Sequence, residues 1–414
     1  MIIPQRILVA PSGFKGSLDA DDVATAIANG IRRVIPGVSV VSVPVPDGGE
    51  GTARMLTQTT GGILHRVTFT GPTGSPIPSS YGLLGEEQDG VAIVEMAAAA
   101  GLSLVPENLR NPAETTTYGV GELIKEALAH DNVHTILVGC GDSGTCDGGM
   151  GALAALGAKI LDENGDEIPP VGSQLHRVHR IDLNNINPRL NDVKLVLALN
   201  QHNVLTGTKG VARVFGPQKG ATETQIDMLD AGLSHWAKIL SETEKTFAPS
   251  RATDYHLGAG TGASGGLGAG LALLGAHLTP RFEALIDSGL SGLKLNEEIS
   301  RADLIITAEG AIDFQTPRGK VPAEIAARAQ NDGIPVLALA GTIGDKAYRV
   351  HETGIGAIAS IIPLPMDLDD ALARGAELLT DSAERCFRIL LLGSAMNSRI
   401  TNKQKEQQAN TMAL

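Results

Sequence analysis

Three cysteines in 414 residues, Cys140, Cys146 and Cys386, are too few to staple a fold and match no zinc spacing. A disulfide framework and a structural zinc site therefore drop out, and a reducing compartment is expected. Aromatic residues make up only 3% of the chain, so its core must be aliphatic. Basic residues are outnumbered, 33 against 46 acidic, for a net charge of −13 with no basic cluster. A surface that neutralises nucleic-acid phosphates or anionic lipid is excluded on that balance. No stretch reaches 18 consecutive apolar residues, and Met1–Gln5 leads straight into a short apolar strand without a basic leader. The expected localisation is cytoplasmic, with no membrane segment. G-x-x-x-x-G-K-[ST], H-E-x-x-H and G-x-S-x-G are all missing, which removes a P-loop, a zincin and a serine hydrolase.

What the chain has in excess is glycine: 50 residues, about 12% against a usual ~7%. The glycines gather in short runs that follow apolar segments, as ligand-binding loops do. The apolar run Ile7–Ala10 predicts a strand and the spacing Val23, Ile27, Ile31 a helix over 19–34. A second strand over 40–45 and a helix from Thr52 repeat the pattern. Alternating runs between 61 and 104 predict a partly antiparallel region. Further strands are expected at 135–138, 195–199, 304–307, 336–340 and 357–362, alternating with helices, and a helix at 369–391. This alternation makes the fold class α/β with parallel sheets, two α/β domains with one interrupting the other.

In such sheets ligands bind beyond the carboxyl ends of the strands, so the loops there are the ones to inspect. The first, Pro11–Ser17, offers Ser12 and Lys15 ahead of a helix start, a setting that suits an anion or a simple cap. The second, Pro46–Gly51, flanks two glycines with Asp47 and Glu50. The third, Gly139–Gly149, holds five glycines, Asp142 and Asp147, and so favours a ligand against bare backbone; Cys140 and Cys146 within it read as small packing residues. The run from Gly258 to Gly270 predicts a phosphate cradle at a helix start, with tight helix packing as the alternative. Glu309 and Asp313 stand four apart after a strand, and Lys219 and Lys320 can balance phosphate charge.

Taken in order, Leu8-Val-Ala-Pro11 with Phe14-Lys-Gly-Ser17, Pro46-Asp-Gly-Gly-Glu-Gly-Thr52, Thr117-Tyr-Gly119 with Gly121-Glu-Leu-Ile124, Phe215-Gly-Pro-Gln-Lys-Gly-Ala-Thr222, Ala308-Glu-Gly310 with Ile312-Asp313, and Gly319-Lys-Val-Pro322 form a set of collinear blocks. They resemble those of the glycerate kinases of the bacterial glycolate and sugar-acid utilisation type, over about residues 6–390. The resemblance implies a discontinuous Rossmann-like domain, expected over 1–62 and 286–396, with an inserted mixed α/β domain over 63–285; the polar, aperiodic stretch 397–414 reads as a frayed tail. It implies transfer of the ATP γ-phosphoryl to a glycerate hydroxyl with Mg²⁺, giving 2-phosphoglycerate. The expected roles are Asp313, Asp47 and Lys15 in catalysis; Ser12, Lys15, Asp47, Glu50 and Thr117 at the substrate; Lys219, Gly258, Gly260, Gly262, Gly265 and Gly266 at the nucleotide; and Asp147 and Glu309 at the metal. The partner is a small-molecule substrate, without nucleic acid or membrane; a homodimer stands open.

The sequence departs from that family at several loops. Ser12 and Gly13 replace an aspartate and a serine, Asn200 an aspartate, Ala311 an arginine suited to a carboxylate, and the third loop carries Asp142, Gly144 and Cys146. Two alternatives follow: a kinase for another small hydroxy acid, or an inactive metabolite-binding relative.

Overall fold

The structure, a computed structural model, describes residues 3–412. Among those residues the strands are, in chain order, β1 (Arg6–Val9), β2 (Ser39–Ser42), β3 (Ile63–Thr70), β4 (Pro76–Leu83), β5 (Val91–Glu95), β6 (Thr135–Gly139), β7 (Lys159–Leu161), β8 (Arg180–Asp182), β9 (Lys194–Leu199), β10 (His277–Pro280), β11 (Leu304–Ile312), β12 (Val336–Ile343) and β13 (Ile355–Ser360). The chain divides into an outer unit, up to Val45 and from Lys294 onward, and an inner unit, Pro46–Leu293. The division puts the Pro46–Gly51 loop and the helix Thr52–Thr59 in the inner unit, rather than in the first domain as the sequence suggested.

The outer unit is a five-stranded parallel sheet in the order β13-β12-β11-β1-β2. Its first helix, Ala20–Val34, starts where the Asp19 carboxylate accepts the Asp22 N–H at 3.1 Å. Val23, Ile27 and Ile31 recur on one face and are fully buried among Ile7, Val9, Ile306 and Phe387, at about 1.5–3 kcal/mol for each large side chain removed from water. That helix crosses the long helix Gly375–Met412 at Gly30, where a Cβ would come 2.2 Å from the Thr380 carbonyl oxygen. Gly30→Val would force the pair apart. The segment 397–412, expected to fray, continues this helix.

The inner unit is a six-stranded sheet in the order β10-β9-β6-β5-β4-β3. β10, β9, β6 and β5 run parallel; β4 and β3 are antiparallel to their neighbours, as the broken pattern over 61–104 suggested. β7 and β8 form a separate hairpin-like pair. One core cluster joins Ala92, Val94, Ile136, Val138, Leu195 and Leu197 to Leu123 and Ile124 of the helix Tyr118–Leu128. A second gathers round Trp236 on the helix Glu223–Phe247, whose indole N–H donates to the Gly148 carbonyl at 2.9 Å. Among the described residues no helix is long and apolar enough to cross a membrane.

Candidate active site

The carboxyl ends of β5, β6 and β9 gather the inner unit's polar loops. The Pro46–Gly51 loop is held by acidic side chains: Asp47 Oδ1 accepts the Gly49 N–H at 2.9 Å, Asp142 Oδ2 accepts the Glu50 N–H at 3.3 Å, and the Glu95 carboxylate accepts the N–H groups of Gly51, at 3.2 Å, and Ala53. Arg281 donates to the Asp47 carbonyl at 3.3 Å, and Ser103 Oγ to Glu50 Oε2 at 3.4 Å. Asp47 and Glu50 thus stand on a backbone that is fixed from several sides. Glu95 was invisible to sequence reasoning, because it reads as the polar end of an apolar strand.

Asp147 and Thr117, expected at the metal and at the substrate, lie together and fully buried. Asp147 Oδ2 accepts the Thr117 N–H (2.7 Å), the Thr117 hydroxyl (2.8 Å) and the Gly151 N–H (3.2 Å), while Oδ1 accepts the Gly149 N–H (3.1 Å). Thr117 Oγ1 in turn accepts the Ala152 N–H at 3.0 Å. The pair therefore ties two helix starts, Tyr118 and Met150, to one carboxylate. Burial draws the Asp147 carboxyl upward and the four donors oppose it. A cation would have to displace those donors, so the metal role expected of Asp147 does not fit, nor does the substrate role of Thr117.

Glycine density in the third loop has a packing cause as well. At Gly265, which has φ +71°, a Cβ would meet the Thr145 carbonyl oxygen at 2.0 Å; at Gly139 it would meet the Gly48 oxygen at 2.6 Å. Loops lie backbone on backbone here, and only glycine permits that approach. Gly258, Gly260, Gly262, Gly265 and Gly266 all turn their open side toward protein atoms, so their spacing reflects packing rather than the expected phosphate cradle. Ser264, Gly265 and Gly266 are left-handed, and regular helix begins after them.

What this region offers a ligand is a cation and two hydroxyls. Lys219, 3% exposed, donates from Nζ to Ser143 Oγ at 2.8 Å and to the Thr145 carbonyl at 2.7 Å. Burial lowers its ammonium to about 8. Among the described residues the buried Thr145 Oγ1 meets no hydrogen-bond partner, and buried Ser264 Oγ has only the Cys140 thiol beside it.

In the outer unit, Lys320 Nζ stands 3.3 Å from Glu309 Oε1 and 3.7 Å from Asp313 Oδ1 and donates to the Ala311 carbonyl at 3.0 Å. Asp313 Oδ1 accepts the Gln315 N–H at 2.8 Å, and the Asp313 N–H donates to Thr316 Oγ1 at 3.0 Å. Gly310 lies against the backbone of Phe14 and Lys15, so the Pro11–Ser17 loop and the acidic loop are neighbours. Ser12 is buried, and its hydroxyl donates to the Ala308 carbonyl at 3.1 Å; it joins β1 to β11 instead of reaching for substrate. Lys15 is exposed.

Among the described residues no three His, Cys, Asp or Glu side chains are set to hold an ion. A full protein cage is not what Mg²⁺ takes, since one or two carboxylates plus substrate phosphates and water suffice. Glu309, a hard oxygen donor with a lysine able to move aside, fits that requirement; Asp147 does not.

The chain matches the model of the glycerate kinase family over residues 7–391. It is 40% identical to a glycerate kinase of Bacillus subtilis over 94% of this chain and 99% of that one. It is 41% identical to a glycerate 2-kinase of Escherichia coli over 90% and 94%. A crystal structure from Salmonella typhimurium LT2, described as a glycerate kinase 2, superposes with a TM-score of 0.76 at 37% identity over 95% of this chain and all of that one. Sequence blocks, whole-length matches and the structural superposition agree, and the chain belongs to the glycerate kinase family.

Proposed function

We propose that the chain transfers the γ-phosphoryl of ATP to a hydroxyl of glycerate, giving 2-phosphoglycerate. The observation that carries this reading is the match over residues 7–391, which spans every polar loop described above. Phosphoryl transfer asks a protein for positioning and charge neutralisation more than for covalent chemistry, and the two clusters are made for that. Lys219, with the hydroxyls of Thr145 and Ser264, supplies a desolvated anion site for the nucleotide phosphates, supported by the buried hydroxyl left without a partner. Asp47 and Glu50 accept hydrogen bonds from the acceptor's hydroxyls. Lys15 and Lys320 meet negative charge in the outer unit. Asp313, oriented by the Gln315 N–H, accepts the proton of the attacking hydroxyl. Glu309 would hold Mg²⁺, which when bound neutralises charge on the transferring phosphoryl group.

ADP release with Mg²⁺-ATP, measured across D-glycerate, L-glycerate, tartronate and erythronate with an acceptor-free control, tests the reading. Turnover with D-glycerate is expected. Turnover with another acid alone would make Ala311, which stands where an arginine is usual, the mark of a different acceptor; no turnover at all would leave a binding protein.

A further inference from the structure

We propose that Glu95 is a positioning residue for the acceptor: from the end of β5 it grips the backbone at Gly51 and Ala53 and thereby sets the direction of the Asp47 and Glu50 carboxylates. The proposal rests on the reading that the Pro46–Gly51 loop meets the acceptor.

The helix Thr52–Thr59 begins without a cap of its own. Its N-cap is Gly51, left-handed at φ +91°, with no side chain to offer, and its first turn holds no acidic residue. A helix start leaves four N–H groups without intrahelical partners. Here a carboxylate from a distant strand takes two N–H groups at this turn, Gly51's and Ala53's. Glu95 is only 5% exposed and is fixed in register, paired across the sheet with Gly139. It is therefore a rigid post under the C-terminal end of a half-glycine loop, whose middle Asp142 and Arg281 hold from other sides. Asp47 and Glu50 lie four residues and one residue before Gly51, the first of the gripped amides.

A carboxylate accepting two N–H groups does so best as an anion. Once protonated, it carries an O–H that must itself donate, and one of the two amides loses its acceptor. Burial, together with the charges of Glu50 and Asp47, pushes Glu95 up to about 7, against the pull of the two amides. Other elements packed on β5 bring Arg54 from the helix Thr52–Thr59, Tyr81 from β4, and Tyr118, Glu122, Lys125 and Glu126 from the helix Tyr118–Leu128; β6 and the helix Met96–Ala100 carry no titratable side chain. The grip thus strengthens as pH rises through neutrality.

The test is steady-state kinetics of the wild type, Glu95→Gln, Glu95→Asp and Asp47→Asn between pH 6 and 8.5. Glu95→Gln is expected to raise KM for D-glycerate about tenfold, the loss of one charge-assisted hydrogen bond, and KM for ATP by less than about twofold. It should also abolish the rise in kcat/KM for D-glycerate between pH 6 and 8, which Glu95→Asp, still ionisable, retains. Equal loss for both substrates, or persistence of the pH rise in Glu95→Gln, overturns the proposal. If Asp47→Asn raises KM for D-glycerate and Glu95→Gln does not, Glu95 alone is misassigned; if Asp47→Asn also has no effect, the reading of the loop fails with it. Should Glu95→Gln not fold, hydrogen exchange of the wild-type peptide 46–56, corrected for intrinsic rate, replaces it. Protection about tenfold lower at pH 6 than at pH 8 supports the grip, and equal protection overturns it.

Discussion

Two lysines neutralise the two polar clusters, and they do it in opposite settings. Lys219 in the inner unit is almost completely buried, gives its hydrogen bonds to a serine hydroxyl and a carbonyl, and is lowered to about 8. Lys320 in the outer unit keeps 24% of its side chain exposed and already faces two carboxylates, Glu309 and Asp313. A desolvated ammonium without a hydrogen-bonded counter-charge gains from an incoming anion, while a solvated one shared by two carboxylates can yield them to a cation or a proton. The first setting suits the holding of phosphate and the second suits chemistry.

The sharpest way to break this contrast is Asp313→Asn. A general base contributes 10²–10⁴ in rate, so with Asp313 in the proposed role kcat should fall about a thousandfold with KM for ATP little changed. Steady-state ADP release checks it; an unaltered kcat would return Asp313 to a loop-shaping role.

Next in size is Asp147→Ala, expected to act on stability alone. It leaves four donors without an acceptor in a site that water does not reach, at about 3–5 kcal/mol. The urea midpoint should fall accordingly, while kcat per folded molecule stays within about twofold. Loss of Mg²⁺ dependence at unchanged stability would restore the metal role.

The outline of the fold was legible because its signals are local. The continuous apolar runs of β1, β5, β6, β9, β11 and β12 mark strands buried on both faces. β4 was not, because Pro76 and Pro78 argue against a strand. Their even spacing puts both missing N–H groups on one side, where β5 reaches only Gly82 and Leu83. The helix Glu223–Phe247 had a readable start in the Thr222/Gln225 capping box. For the site, position beyond a strand end picked out Glu309 and Asp313 as candidates, but could not separate a carboxylate that faces a ligand from one that caps helices. Asp147 and Glu95 differ from Asp47 only through partners up to 44 residues away in sequence. Glycine count misled for the same reason, since a Cβ is excluded equally by a ligand and by another loop.

Lys219→Met sharpens the comparison through pH. Its folded pKa lies below the usual value of 10.5, so the unfolded chain binds the extra proton between about pH 8 and 10.5. Stability should therefore rise over that window, by about 3 kcal/mol in full, because the penalty of the buried charge is present below pH 8 and relieved above it. The Met variant should lack the rise. ADP binding, read by calorimetry, should weaken about tenfold per pH unit above 8 in the wild type and be weak throughout in Lys219→Met. ADP affinity independent of both pH and Lys219 would place the phosphates elsewhere.

The smallest expected effect concerns the cysteines beside that lysine. A lysine next to a thiol usually lowers its pKa and makes it reactive. Cys146 has both Lys219 and Asp147 acting on it, yet at 1% exposure burial dominates and pushes the thiol up to about 11. Cys140, partly covered and beside Ser264, goes to about 12 for the same reason. Thiolate is the nucleophile, so at pH 8 each carries on the order of a thousandth or less of it, and Cys146 is closed off from reagent as well. Iodoacetamide should leave activity within about 10% over an hour and modify neither residue by mass spectrometry, whereas unfolding in urea should expose both. Rapid alkylation of Cys146 with loss of ADP binding would mean that the loop opens around Lys219 in the free enzyme. The inner cluster would then share the solvated character of the outer one, and the contrast between the two lysines would vanish.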